Sequence, residues 1–195
     1  MIAIVDYDAG NICSVANALE RLGAEYVLSS DPETILAADK VILPGVGNAA
    51  EAMKSLRDKG LDKLVKSLRK PVLGICVGMQ LMCRHSEEDD AQCLGIFDTD
   101  VLRFRATPDA KVPHMGWNSI SNLDGKIFKG VPEGSFVYFL HSYYPALCTD
   151  TIATCRHGDT MFSAALKYEN FIGTQFHPEK SGDTGETILR NFLGK

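Results

Sequence analysis

The sequence predicts an α/β fold in which a mostly parallel central sheet carries helices on both faces. In the first half of the chain, short apolar runs alternate with stretches of helical periodicity, an order that favours parallel strands joined by helices. In the second half, short β-rich segments are separated by Gly, Pro, Asn and Asp, and we expect them to add an antiparallel portion to the sheet. A length of 195 residues fits one domain, which we take as 1–195.

The first half is predicted to contain strands and helices in alternation. Four apolar runs predict strands at 2–6, 25–29, 41–43 and 71–75. Apolar residues at helical spacing predict a helix over 12–22, which Gly23 ends. Asp31-Pro32 opens a short helical turn, and a longer helical stretch follows the third strand to about residue 69, with a break at Gly60. Another helix is expected over 79–85.

The second half is predicted to be mainly strands. They are expected at 101–105, 118–120, 135–140, 151–155, 161–167 and 171–176. The acidic tract 86–90 is expected to be a solvated loop, and a closing helix is expected at about 184–193.

Composition and charge argue against several classes of protein. The formal charge is −5, and no block of Lys and Arg forms the footprint that nucleic acid requires. The apolar run 2–5 is stopped by Asp6, far short of the ~20 residues of a membrane span, and it lacks the features of a signal peptide. We therefore expect no nucleic-acid partner, no membrane segment and a cytoplasmic location.

The six cysteines are scattered and contain no Cys-x-x-Cys motif. Cys76 and Cys83 are seven apart, as are Cys148 and Cys155, which is not a usual metal-ligand spacing. We expect reduced thiols and no metal site. No phosphate-binding loop or Gly-x-Gly-x-x-Gly motif is present, so we expect no bound cofactor.

The strongest local signal is Gly74-Ile-Cys76-Val-Gly78, between a predicted strand and a predicted helix. This is the pattern of a nucleophile elbow with Cys in place of Ser. The start of a helix favours the reactive thiolate, and the N–H groups there, beginning with that of Val77, can donate to an oxyanion. The alternative is an inert buried cysteine packed in a Gly-rich turn.

A second signal is His177-Pro-Glu179, which follows the last apolar run. Residues i and i+2 of an extended chain point to the same face, so the two side chains can meet. A carboxylate orients an imidazole and stabilises its protonated form, which is what a base that serves a thiol requires. Alone this pattern is weak, but together with the elbow it predicts a catalytic triad of Cys76, His177 and Glu179.

The motifs resemble those of the class I (triad) glutamine amidotransferases. This resemblance rests on three segments: 44–47 (Pro-Gly-Val-Gly), 74–80 (Gly-Ile-Cys-Val-Gly-Met-Gln) and 175–180 (Gln-Phe-His-Pro-Glu-Lys). Asp6-Tyr7, with 113–118 (Pro-His-Met-Gly-Trp-Asn) and 138–144, makes the chain similar to the glutaminase subunits of imidazole glycerol phosphate synthase, in histidine biosynthesis. The resemblance extends nearly from end to end.

The resemblance implies a mechanism. Cys76 attacks the side-chain amide of glutamine and forms a thioester, His177 transfers the proton to departing ammonia, and water then releases glutamate. The second oxyanion donor comes from the backbone of Val46 or Gly47, beside that of Val77.

The resemblance also implies substrate contacts. These are Gly47, Gln80, Ser142 and Tyr143, with Glu88 placed to meet the α-ammonium group of glutamine.

The implied partner is a (β/α)8-barrel cyclase subunit that forms a heterodimer with this chain and receives the ammonia. Asn11, Trp117, Asn118 and Lys180 are the candidates for that interface and for the mouth of the ammonia tunnel. The family usually has Gly where Asp8 stands, which bears on how the first loop meets the partner.

Three other functions compete with this hypothesis. Another class I glutaminase, such as those of pyridoxal phosphate or anthranilate synthesis, lacks the Pro-His-Met-Gly-Trp-Asn segment. A free-standing cysteine peptidase would work without a partner. A binding module that retained only the fold would have no need of an intact triad.

Overall fold

The structure is a computed structural model, and it describes residues 1–108 and 110–195. Its strands are β1 Ile2–Val5, β2 Tyr26–Ser29, β3 Lys40–Leu43, β4 Val72–Ile75, β5 His85–Ser86, β6 Ala91–Gln92, β7 Asp100–Arg103, β8 His114–Ser119, β9 Phe136–His141, β10 Tyr143–Pro145, β11 Thr151–His157, β12 Thr160–Tyr168 and β13 Phe171–Thr174. Its α-helices are α1 Ile12–Arg21, α2 Pro32–Ala37, α3 Ala49–Asp58, α4 Leu61–Ser67, α5 Val77–Leu81 and α6 Gly182–Leu193.

The largest sheet has seven strands in the order β11-β12-β13-β4-β3-β1-β2. The five strands from β13 to β2 run parallel, and β11 and β12 extend the sheet with antiparallel pairing. β1 and β4 are buried along their whole length, which explains their continuous apolar sequence. The predicted α/β fold with a mostly parallel central sheet is confirmed.

The helices of the first half follow local signals that the sequence contains. The side chain of Asn48 accepts a hydrogen bond from the N–H of Glu51 at 3.0 Å and caps α3. Asp31 caps α2 in the same way through the N–H of Thr34, at 2.9 Å. Gly60 takes a left-handed conformation with φ 68° and separates α3 from α4, so the predicted break is confirmed.

The second half departs from the prediction that its strands all extend the central sheet. β10, β7, β5 and β6 form a separate four-stranded sheet, and β8 and β9 form a two-stranded sheet of their own. The strand expected at 118–120 is β8, which begins at His114. Its early residues include Gly116, and nothing in them alternates in the way a half-buried strand does.

The helix predicted over 79–85 is wrong. The observed α5 is Val77–Leu81, and His85 already belongs to β5. The helix stops because a later segment takes its carbonyl groups: the N–H of Leu94 donates to Leu81 at 2.8 Å, and the N–H of Gly95 donates to Cys83 at 2.7 Å. The acidic tract 86–90 is mostly exposed, as predicted, but it contains the end of β5 and a 3-10 turn.

None of the helices in residues 1–108 and 110–195 is both long enough and apolar enough to cross a bilayer. The same residues contain no group of three or more His, Cys, Asp or Glu side chains arranged to hold a metal ion.

Candidate active site

Cys76 lies in a strained turn between β4 and α5. Its backbone has φ 52° and ψ −109°, a combination that residues with a side chain rarely adopt. A Cβ atom on Gly74 would lie 2.8 Å from the backbone of Gly78, and a Cβ atom on Gly78 would overlap the carbonyl oxygen of Leu43. Packing therefore requires both glycines of the Gly-x-Cys-x-Gly pattern.

The pairing of β4 with β13 brings the two halves of the site together. Ile75 is paired with Thr174 in parallel register, so the segments that follow the two strands leave the sheet side by side. The N–H of Cys76 donates to the carbonyl of Thr174 at 2.8 Å. His177 comes three residues later, and its imidazole responds to the charge of Cys76. Cys76 and His177, 101 positions apart in the sequence, are thus neighbours in space.

The imidazole of His177 is held by a buried carboxylate. Its Nδ1 atom lies 2.8 Å from Oε1 of Glu179, and both side chains are excluded from solvent. Burial lowers the pKa of His177, but interaction with Cys76 and with Glu179 outweighs burial and raises that pKa to about 10. Nε2 of His177 has no hydrogen-bond partner among the described residues. We therefore attribute the effect of Cys76 to its charge rather than to a formed bond.

A cavity of about 270 Å³ opens beside the sulfur of Cys76. All five residues predicted to contact substrate line it, as do two further predicted oxyanion residues and three residues that sequence reasoning gave no such role. The lining consists of Val46, Gly47, Cys76, Val77, Gln80, Glu88, Pro113, Leu140, His141, Ser142 and Tyr143. His177 and Glu179 are not among them.

Two of the lining side chains are already engaged with the protein. Nε2 of Gln80 donates to the carbonyl of Tyr143 at 3.0 Å. Oε2 of Glu88 accepts from the N–H of Ala49, at the start of α3, at 2.7 Å. Burial raises the pKa of Glu88, and the hydrogen bond from Ala49 opposes that shift. The carboxyl group of Glu88 and the nucleophile therefore line the same cavity.

The predicted oxyanion donors do not converge in this conformation. The N–H of Val77 donates to the carbonyl oxygen of Gly45 at 3.3 Å. The C=O and N–H of a trans peptide point in opposite directions, so the N–H of Val46 points away from Val77. Gly47, with φ 97°, gives this loop a residue at which it can turn.

The loop that follows β1 contacts the segment 44–47 beside the site. Tyr7 is fully buried and donates to the carbonyl of Pro44. Burial, and then the charge of Cys76, raise the pKa of Tyr7 well above its ordinary value. Asp8 has a left-handed conformation, φ 66°, and its carboxylate is 2.9 Å from Nζ of Lys59. The sequence marked Tyr7 only as part of a motif, since its contact with Pro44 depends on how the loop folds.

A chain of buried hydrogen bonds runs behind the cavity. Nδ1 of His141 donates to the carbonyl of Tyr143 at 2.7 Å, which leaves Nε2 of His141 as an acceptor. Nδ1 of His114 donates to that Nε2 at 2.9 Å, and Nε2 of His114 then accepts from Nδ2 of Asn118 at 3.1 Å. Nothing in the sequence predicts that these two histidines meet, although His114 belongs to the segment 113–118 that carries the resemblance.

Some of the residues predicted at the partner interface are exposed, and others are engaged in hydrogen bonds within the protein. Trp117 is 56% exposed and Lys180 is exposed. The side chain of Asn118 points to the opposite face of β8, where it donates to His114 of the histidine chain. Asn11 is engaged with the triad, because its Nδ2 donates to Oε1 of Glu179 at 2.6 Å.

Exposed apolar side chains gather on one face of the β8–β9 pair. Met115 lies opposite Leu140, and Trp117 lies opposite Tyr138, with the two rings 6.2 Å apart. Met115 is 66% exposed and Phe136, further along β9, is 59% exposed. We call these five residues the apolar face. Such a cluster marks a surface that another molecule covers.

Comparison with known proteins decides the family. The family model described as "Glutamine amidotransferase class-I" matches residues 3–195. The chain belongs to the class I glutamine amidotransferase family. It is therefore an enzyme of the glutamine amidotransferase type, as the motifs around Cys76 and His177 predicted.

Curated relatives lie within one branch of this family. The chain is 56% identical over 193 residues to imidazole glycerol phosphate synthase subunit HisH of Bacteroides thetaiotaomicron, covering 98% of each chain. It is 48% identical to the protein of the same name from Shewanella loihica, covering 97% of this chain and 88% of that one.

Solved structures of the family share the fold. A putative GMP synthase protein from Thermoplasma acidophilum has a TM-score of 0.76 and 26% identity, covering 99% of this chain and 92% of that chain. The glutaminase domain of CTPS from Trypanosoma brucei, solved with acivicin, has a TM-score of 0.66 and 16% identity and so shows the fold alone, covering 100% of this chain and 94% of that one.

Proposed function

We propose that the chain, as a single domain 1–195, is the glutaminase subunit of a cytoplasmic imidazole glycerol phosphate synthase. The observation that carries this proposal is the grouping of His177 and Glu179 beside Cys76, whose side chain lines a cavity, in a chain that is 56% identical to HisH of Bacteroides thetaiotaomicron. The cavity takes glutamine, and the products are glutamate and ammonia.

The reaction has two halves that both use the sulfur of Cys76. The thiolate attacks the carbonyl carbon of the glutamine side chain, and the imidazolium of His177 gives its proton to the departing amide nitrogen, which leaves as ammonia. His177 then takes a proton from water, which attacks the thioester carbon. Collapse of that adduct breaks the C–S bond, returns the thiolate and releases glutamate, while the proton remains on His177. The buried carboxylate of Glu179 keeps Nε2 of His177 directed at the reacting atoms.

The ammonia is destined for a second protein chain. Free in water at neutral pH it would become ammonium, which is not a nucleophile, so a protected path is needed. We assign that path to a (β/α)8-barrel cyclase subunit. There the ammonia helps to convert a phosphorylated ribulosyl-aminoimidazole carboxamide nucleotide into imidazole glycerol phosphate and the aminoimidazole carboxamide ribonucleotide.

The apolar face is the docking surface in this proposal. Its strand β9 also touches the active site: the N–H of His177 donates to the carbonyl of Tyr138 at 2.9 Å, and Sγ of Cys76 lies 3.8 Å from the carbonyl of Leu140. Lys180 is exposed beside this region and can add a charged contact at the rim. A partner that covers the face would therefore contact the strand whose carbonyl groups meet the backbone of His177 and the sulfur of Cys76.

The geometry of the oxyanion loop supports dependence on the partner. The N–H of Val77 is occupied by Gly45, so the isolated chain has an incomplete oxyanion hole. Loss of one such donor costs about 10²–10³ in kcat. A rotation of the Gly45–Val46 peptide would free Val77 and turn the N–H of Val46 toward the substrate.

Glutamate release, measured with and without a barrel cyclase and its nucleotide ligand, tests this proposal. We expect slow release by the chain alone and an increase of at least about 100-fold when cyclase and nucleotide are present, because the oxyanion donors then converge. Full activity of the isolated chain, or release from peptides rather than from glutamine, would favour a free-standing cysteine hydrolase.

Replacement of Trp117 by Ala tests the docking surface in the same assay. Buried Trp side chains at interface centres commonly contribute about 2 kcal/mol or more, so we expect about a 30-fold or larger rise in the Kd for the cyclase. Leu36, on α2 and 52% exposed, is a matched control away from the apolar face. Equal, small effects of Trp117→Ala and Leu36→Ala would place the interface elsewhere.

A further inference from the structure

We propose that the side-chain amide of Gln175 is a fourth catalytic group, which donates a hydrogen bond to the sulfur of Cys76 and stabilises its thiolate. Nε2 of Gln175 lies 3.6 Å from Sγ, a hydrogen-bonding distance for sulfur. The inference rests on the proposed function, because it assumes that Cys76 is the nucleophile. It adds a residue outside the triad.

The orientation of the amide follows from its partners. The oxygen and nitrogen of an amide side chain have nearly the same shape, so hydrogen bonds must decide which atom faces the sulfur. The carbonyl of Tyr143 can only accept, and it lies 3.0 Å from the amide of Gln80, so the atom of Gln80 at this contact is Nε2. That Nε2 can only donate, and it is also 3.0 Å from the amide of Gln175. Gln175 therefore presents Oε1 to Gln80 and Nε2 to Cys76.

Backbone hydrogen bonds fix both residues of this contact, Gln175 and Cys76. The N–H of Gln175 donates to the carbonyl of Ala164 at 2.8 Å, which extends the pairing of β13 with β12 by one residue. The N–H of Cys76 is fixed to the carbonyl of Thr174. Gln175 is fully buried and Gln80 is 2% exposed, so no water competes for these donors. A hydrogen bond to an ion is strongest in such a place.

The amide and the imidazole differ in what they do for the sulfur. His177 can give up its proton, whereas the amide of Gln175 keeps both of its protons at every pH. It therefore stabilises negative charge on sulfur twice in the cycle: in the resting thiolate, and again when the thiolate is expelled as the second adduct collapses. The sulfur of the thioester is neutral, so the amide has no charge to stabilise there. Loss of the amide should therefore change rates rather than glutamine binding.

Replacement of Gln175 by Met tests this role, since Met has a similar size and no N–H donor. The measurement is the rate at which iodoacetamide alkylates Cys76 in the full chain between about pH 5 and pH 9, followed by mass spectrometry of the peptide that contains it. Hydrogen bonds to charged groups predict an upward shift of about one pH unit in the midpoint, which is a loss of about 10-fold in rate at pH values below both midpoints. The limiting rate at high pH should remain.

Thr174→Val is the matched control. Thr174 precedes Gln175 in the chain, is equally buried, and its hydroxyl has no hydrogen-bond partner among the described residues. Its replacement should leave the pH profile at the wild-type position. Gln175→Leu is a second variant, which removes both polar atoms of the amide at a similar size and should shift the midpoint in the same direction as Gln175→Met.

Two results would separate the failure of this inference from the failure of the proposed function. A wild-type alkylation profile in Gln175→Met or in Gln175→Leu, together with loss of glutamate release in Cys76→Ala, would overturn the role of Gln175 alone. Undiminished glutamate release by Cys76→Ala would overturn the proposed function and this inference with it. Support requires the shifted midpoint, a lower kcat for glutamate release and a KM within about threefold of wild type.

Discussion

At the scale of single residues, the site is organised around the proton of His177. Burial opposes the protonated form, but interaction with Cys76 and Glu179 raises the pKa of His177, and the contact between its Nδ1 and Glu179 fixes the imidazole. Asn11 adds a hydrogen bond to the same carboxylate oxygen. The triad could be predicted because its members stand in two short motifs. The role of Asn11 could not, since 168 residues separate it from Glu179 and only the path of the first loop brings them together.

Replacement of His177 by Asn should lower kcat/KM for glutamine by about 10³-fold or more, in line with losses of triad members in other enzymes. The reason is that Asn can neither give a proton to the departing nitrogen nor take one from the attacking water. The measurement of kcat/KM is the rate of glutamate release by the complex of the chain with the cyclase. His85→Asn is the control, because His85 lies near the surface, where its imidazole contacts Asp90. A loss of less than about 10-fold would remove His177 from the mechanism.

At the scale of elements, the short β8–β9 pair does more than the large sheet to shape the cavity. The central strands were predictable because each is a continuous apolar run between helical patterns. β8 was missed in part because its inward side chains are His114 and Asn118, which satisfy each other instead of packing as apolar residues. The end of α5 was missed because its carbonyl partners lie more than ten residues further along the chain.

The histidine chain makes stability depend on pH. Burial, and then the positive charge of His157, lower the pKa of His114 from 6.5 to about 4. Burial lowers the pKa of His141 as well. Below pH 6.5 the unfolded chain therefore binds more protons than the folded chain. The stabilisation is complete above about pH 6.5 and is lost as the pH falls toward about 4.

Urea unfolding of the wild-type chain between about pH 7.5 and 4.5 should show this loss, with a slope of about 1.4 kcal/mol per pH unit from each histidine that is held neutral. His114→Gln keeps a side chain that can donate and accept, and it removes one titrating group. The slope of its unfolding free energy against pH should be smaller by about 1.4 kcal/mol per pH unit. An unchanged slope in His114→Gln would show that His114 is not held neutral by the fold.

At the scale of the whole molecule, the apolar face proposed as a docking surface and the two reacting residues all contact one strand, β9. β9 carries Tyr138 and Leu140 on the apolar face, and its carbonyl groups receive the N–H of His177 and face Sγ of Cys76. The resemblance made Trp117 a candidate for the partner interface, and Trp117 is exposed on β8. That β9 joins surface to site was not predictable, since it depends on pairing across the sheet and on the parallel register of β4 with β13.

The most direct measurement compares glutamine-dependent and ammonia-dependent synthesis of imidazole glycerol phosphate by the complex of this chain with a barrel cyclase. With Cys76→Ser, we predict that synthesis from glutamine is lost and that synthesis from added ammonium salt at alkaline pH is retained, because only the release of ammonia needs the thiolate. Loss of both activities would assign Cys76 a structural role, and retention of both would contradict the central claim that Cys76 cleaves glutamine.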